Sequence, residues 1–161
     1  MRGGHGLSAG KPVAAHATTD EGARRATLAG VRTIEHGTVI SPETLELMKQ
    51  SGVVLVSTLA AGEAVARYAG WDGKEPAPAG VAAGAATLRK AHELGVPIAC
   101  GSDAGVFAHG DNAREIELLA EVLGSPAGAL RAATRDAALV LGRVVLVIQA
   151  GRVVLDRRAR R

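Results

Sequence analysis

Aromatic residues are scarce in this sequence: one Trp, one Tyr and one Phe, 2% of the chain. A core built without large rings must come from Ala, Val, Leu and Ile, which suit close packing of helices on strands. Cys100 is the single cysteine, which excludes an internal disulfide and fits a reducing compartment, so the cytoplasm is the expected location. Long apolar runs are missing too. The start, Met1-Arg2-Gly3-Gly4-His5-Gly6, has no signal-like apolar region, and Val144 to Ile148 is far too short to cross a bilayer. No export or membrane signal is expected. Charge of one sign is also lacking: the net +3 comes from Arg152, Arg157, Arg158, Arg160 and Arg161 at the end of the chain. Without interleaved aromatics, that run reads as a solvated tail, and nucleic acid and lipid are not expected partners.

What is present describes a globular chain. Its 161 residues are ordinarily one domain, and 47% of them are hydrophobic. The 21 glycines are spread along the sequence, which points to many short turns rather than a low-complexity segment. A repeating pattern runs through it: a short β-prone stretch, a turn, then a helix-length amphipathic stretch. Pro12 to His16 is the first strand, followed by a helix over Asp20 to Ala29 capped by Thr19 or Asp20. Val31 to His36 is the second, and Ser41-Pro42-Glu43-Thr44 opens a helix that ends at Ser51-Gly52. Val53 to Ser57 is almost continuously apolar, as in a strand covered on both faces. A helix from Ala60 to Tyr68, loop chemistry around Gly70 to Pro78, and a helix from Gly80 to Leu94 lead to the fourth strand, Pro97 to Cys100. The turn Gly101 to Gly105 precedes helices at Asn112 to Leu123 and Pro126 to Leu141. Val144 to Ile148 and Arg152 to Leu155 read as a closing hairpin. Strand–helix units in series imply an α/β fold with parallel strands and outer helices, half of a (β/α)8 barrel.

His16, His36 and Asp103 then fall at one edge, at or just after the C-terminal ends of the first, second and fourth strands. In a barrel of parallel strands that edge forms the active face. Two imidazoles and a carboxylate are sound ligands for a zinc-like ion. Taken singly, each has a plainer reading: a hydrogen-bonded core histidine, or an aspartate serving a turn or helix cap. Their shared position at strand ends favours the joint reading.

The motifs Val13-Ala14-Ala15-His16-Ala17, Ala29 to Gly37 (AGVRTIEHG), Val53 to Leu59, Gly101 to Phe107 (GSDAGVF) and His109 to Glu115 (HGDNARE) occur in this order. They resemble the imidazolonepropionase-like branch of the amidohydrolase superfamily, and within it the Xaa-Pro dipeptidases. The likeness runs from about Lys11 to Gly142. It implies the C-terminal half of a (β/α)8 TIM-type barrel over residues 1–142, and over 143–161 a short β-hairpin from the family's small β-sandwich with a basic tail. It also implies metal-ligand roles for His16 and His36, after the fifth and sixth barrel strands. Asp103, after the eighth, would bind metal and take a proton from the attacking water. His109 and Asn112 match a motif beside the site and are expected as substrate or neighbouring contacts, with Glu35 and Arg114 as structural partners of the loops.

The chain departs from the family pattern in two places. It has neither the His-x-His pair of the first barrel strand nor the carboxylated lysine of the fourth; His5 and Lys11 are not substitutes. Leu141-Gly142 also runs directly into Arg143-Val144, where the family has a segment rich in Gly, Pro, Ala and Asp. The resulting expectation is a metal-dependent hydrolase of amide or peptide C–N bonds, with zinc the first choice of ion and a dipeptide or other small molecule as substrate. The alternative is a non-catalytic barrel fragment that acts only with a complementing half. Unpaired strand edges at Pro12 to His16 and Pro97 to Cys100 imply self-association or an N-terminal partner.

Overall fold

A computed structural model describes residues 12–74, 76–141, 146–149 and 152–156. His5, Lys11, the Leu141–Val144 junction beyond Leu141, the 150–151 turn and the arginines after Asp156 lie outside the described residues. Four strand–helix units follow one another: β1 (Ala14–Ala17), α1 (Asp20–Leu28), β2 (Thr33–His36), α2 (Pro42–Ser51), β3 (Val54–Ser57), then two helices, α3 (Leu59–Tyr68) and α4 (Ala79–Leu94), before β4 (Ile98–Cys100). After β4 come α5 (Ala113–Leu123), α6 (Pro126–Arg131), a π-helical turn at Ala132–Asp136 and α7 (Ala137–Leu141). The strands pair in parallel in the order β1-β2-β3-β4, which is the half barrel expected. β1 and β4 are its edges. Leu146–Gln149 (β5) and Arg152–Asp156 (β6) pair antiparallel as the closing hairpin.

Local chemistry sets the helix limits. Thr19 Oγ1 accepts from the Gly22 N–H to cap α1, while Asp20 instead takes the Ser41 N–H at 2.8 Å and ties the starts of α1 and α2 together. Ser41 caps α2 through the Thr44 N–H, Pro42 occupies its first turn, and Gly52 ends it in the left-handed conformation. Most expected helix limits hold to within a residue, but one expected helix is interrupted. Pro126 to Leu141 is not a single α-helix but is interrupted at Ala132–Asp136. There the Thr134 hydroxyl donates to the Leu130 carbonyl at 2.6 Å, competing for a group that a backbone N–H would otherwise use.

The core lies between the sheet and its helices. Ile34 and Leu55 from the strands meet Leu45, Met48 and Leu119 from α2 and α5, all of them fully buried. Burying each such side chain contributes about 1.5–3 kcal/mol. The pleat places Ala15, Ile34 and Leu55 in one row, with Ala17 on the same face. His16, Glu35 and Val56 form the row between, on the opposite face, toward the barrel interior.

Candidate metal centre

By strict alternation His36, the register partner of the buried Ala17, would point into the helix-packed layer, away from His16. It does not. His36 has a φ of 72°, a left-handed value rare for a non-glycine residue, and this turn off the pleat brings the two rings together. Their centroids are 4.2 Å apart at 66°, an edge-on arrangement. Asp103, three residues past β4, is the other non-glycine residue with a positive φ, at 56°. Two of three candidate residues thus carry the backbone strain found among the described residues, a pattern that accompanies functional sites. All three line one cavity of about 500 Å³ at the C-terminal edge of the sheet.

Thr58 and the two neighbouring threonines, Thr18 and Thr38, add hydroxyls to the polar side of this cavity, and α3 and α4 add an apolar wall that includes Val65, Ala66 and Val81. The Thr58 hydroxyl lies 2.7 Å from Nδ1 of His36. Burial and the neighbouring His16 ring depress the His36 pKa, with Asp103 and Glu35 opposing. The imidazole is thereby favoured in its neutral form, the form that binds metal. With Nδ1 held by Thr58, Nε2 is the nitrogen left for an ion. The donor set therefore fits a divalent metal chemically. Its geometry is open: among the described residues no group of three or more His, Cys, Asp or Glu lies close enough together to hold one ion. His16 and His36 form the close pair, and Asp103 acts on His36 across the cavity.

Residues 8–152 match the model of the amidohydrolase family. The chain belongs to this family. A solved Xaa-Pro dipeptidase with methionine bound in its active site is 40% identical with a TM-score of 0.75, over 84% of this chain and 35% of that one. A solved prolidase complexed with N-methylphosphonate-L-proline is 32% identical with a TM-score of 0.69, over 92% of this chain and 38% of that one. An uncharacterized protein of Mycobacterium tuberculosis is 35% identical over 140 residues, 83% of this chain and 38% of that protein. This amidohydrolase chain therefore spans little more than a third of the length of the curated relatives it matches.

Other expected residues of this amidohydrolase are distributed around the cavity rather than in it. His109 is exposed and does not line it. Asn112 donates to Ser102 Oγ at 2.9 Å and accepts from the Gly110 N–H at 3.2 Å, bracing the loop that carries Asp103. Arg114 grips Glu63 with two hydrogen bonds, 3.0 and 2.9 Å, clamping α5 to α3, and Glu35 accepts from the Thr33 hydroxyl. Tyr68 donates to the Val106 carbonyl at 2.6 Å and Trp71 to that of Lys74 at 2.6 Å, so both serve loop packing. Sequence reasoning missed Thr58 and Glu115. Thr58 follows the third strand at the same edge as the histidines, and that position was its available signal. Glu115 is fully buried on α5, where its spacing gives no hint of a partner in α3.

Proposed function

We propose that this chain supplies the C-terminal part of the active site of a metal-dependent hydrolase of amide or peptide C–N bonds. Dipeptides of the Xaa-Pro type are the first substrate class and cyclic amides the second. The observation that carries this reading is the meeting of His16, His36 and Asp103 on one cavity, with His36 turned off the pleat toward His16. The names of the solved relatives support the peptidase class.

His16 and His36 would hold the ion through ring nitrogens, and Asp103, across the cavity from the pair, would join them as a carboxylate ligand when a complementing half closes the open geometry. A bound divalent ion lowers the pKa of its water and polarises the carbonyl under attack. Asp103 takes the proton from the attacking water and returns it to the departing amine, roles suited to a carboxylate at the open rim of a cavity. Thr58 orients His36. The apolar wall excludes water and accommodates an aliphatic side chain. His109 and Asn112 do not line the cavity, so any substrate contact from them would come from the rim beside the Asp103 loop. Zinc suits this donor set, and a soluble cytoplasmic setting suits a chain with one half-buried thiol.

The edges of β1 and β4 are the surfaces through which an N-terminal barrel half, or a second copy, would complete the site. The open donor geometry favours a second reading, a scaffold that is inert until complemented. A panel of dipeptides and cyclic amides, assayed with zinc in the presence and absence of an N-terminal half, separates the two. Turnover that requires both halves and is abolished by Asp103→Asn is expected. Failure of the complemented protein on every substrate ends the peptidase reading.

A further inference from the structure

Helix α3 starts without the cap its sequence offers. Thr58 stands in the N-cap position, yet its side chain makes no capping hydrogen bond. Its hydroxyl is instead 2.7 Å from His36 Nδ1. The first N–H groups of a helix need acceptors, and inside a core they must find them in the protein. They find one on another helix. The Ala60 N–H donates to Oε2 of Glu115 at 2.7 Å, and the Leu59 backbone also stabilises that carboxylate. A negative charge at a helix N-terminus is favourable in itself.

Glu115 is 0% exposed, and besides the start of α3 its carboxylate has the buried Ser57 hydroxyl beside it. A buried carboxylate that meets no cation among the described residues is a poor choice for stability alone. The adjacent Arg114–Glu63 fork already fastens α5 to α3, so the carboxylate is not needed to join the two helices.

We propose that Glu115 is a positioning residue for His36: by capping α3 from α5, it releases the Thr58 hydroxyl to hold Nδ1 of the imidazole. Without that cap, Thr58 turns its hydroxyl to the N-terminus of its own helix, as Thr19 does at α1. His36 then loses the contact that orients Nε2 toward the cavity. The inference rests on the metal-ligand reading of His36 only for its functional consequence.

The test uses the full 161-residue chain with 15N-labelled histidine, and zinc alone as the probe. Glu115→Asp withdraws the carboxylate by one methylene, Glu115→Gln keeps an oxygen for the Ala60 N–H, and Thr58→Val removes the hydroxyl. Glu115→Asp is expected to move the His36 ring nitrogen resonances toward those of Thr58→Val. It should also weaken zinc binding by about 10- to 100-fold, the usual range for groups that orient a ligand. Glu115→Gln is expected to stay near wild type in both readouts. The double variant Thr58→Val/Glu115→Asp should bind zinc no more weakly than Thr58→Val alone, because both act through one contact. His36 resonances unmoved in Glu115→Asp, or additive losses in the double variant, would overturn the proposal. If His36→Ala leaves zinc binding unchanged, the metal reading fails, while the ring resonances still decide the role of Glu115.

Discussion

Gly37, directly after His36, is where the backbone of the site is least tolerant of change. Its φ is 59°, and a Cβ added there would lie 2.5 Å from Leu55 Cδ1 and 3.0 Å from Ile40 Cδ1. Neither neighbour can yield easily, since Leu55 is 1% and Ile40 6% exposed. Its N–H also donates to the Ala17 carbonyl at 3.0 Å, which fixes the chain as it leaves β2. For Gly37→Ala, a left-handed alanine costs about 1–2 kcal/mol, and overpacking adds about 1–3 kcal/mol. Gly30→Ala provides the control, because Gly30 has a φ of 82° but nothing within 4 Å of an added Cβ. The control should show only the conformational part, reduced by about 0.4–1 kcal/mol through the stiffer unfolded chain. Urea unfolding followed by circular dichroism gives both values. Gly37→Ala is expected to be the more destabilising by about 1–3 kcal/mol. Equal losses at the two positions would refute the packing described between β2 and β3.

Burial, helped by the nearby Glu115 charge, pushes the Cys100 thiol up from 9.0 to about 11. At a given pH below that range its thiolate fraction falls by about 100-fold, partly offset by about tenfold from the stronger nucleophile, so Ellman's reagent should label the native chain at least about tenfold more slowly than the urea-unfolded one; similar rates would contradict the burial. Burial likewise pushes the Glu115 carboxyl above its ordinary 4.5. The native state then holds a proton that the unfolded chain has lost, so this contribution to stability is complete below pH 4.5 and is lost as pH rises through the folded value. Wild type should lose stability relative to Glu115→Gln across that window, and parallel pH profiles would show that the carboxyl is not strained by burial. The open edges of β1 and β4 predict concentration-dependent self-association of the isolated chain. A monodisperse monomer by light scattering after size exclusion would count against it.

Much of this architecture is local in origin and so was legible in the sequence. Thr19, Ser41 and Ser125 mark helix starts, and Gly52, Gly95 and Gly124 mark helix ends, because caps are chosen within a few residues. Parallel pairing followed from strand and helix alternating. The strand-end placement of His16 and His36 needed only the strand limits. What the pattern does not carry is anything decided by distant partners. Alternation alone assigns His36 to the wrong face, since nothing in Ile-Glu-His-Gly specifies its left-handed backbone. Glu115 looks like one more charge on an amphipathic helix, and only its contact with Ala60, 55 residues earlier, shows otherwise. The break at Ala132–Asp136 coincides with a threonine hydroxyl bonding back along its own helix, yet Thr27 makes the same bond in the unbroken α1, so the residue type alone does not announce it.

Calorimetric titration of zinc into the metal-free chain, compared with His16→Ala and His36→Ala, bears most directly on the claim that these imidazoles form half of a metal centre. Measurable binding in the wild-type chain, weakened at least about tenfold by each substitution, is the expected result. Equal binding in all three proteins, however tight, would contradict it.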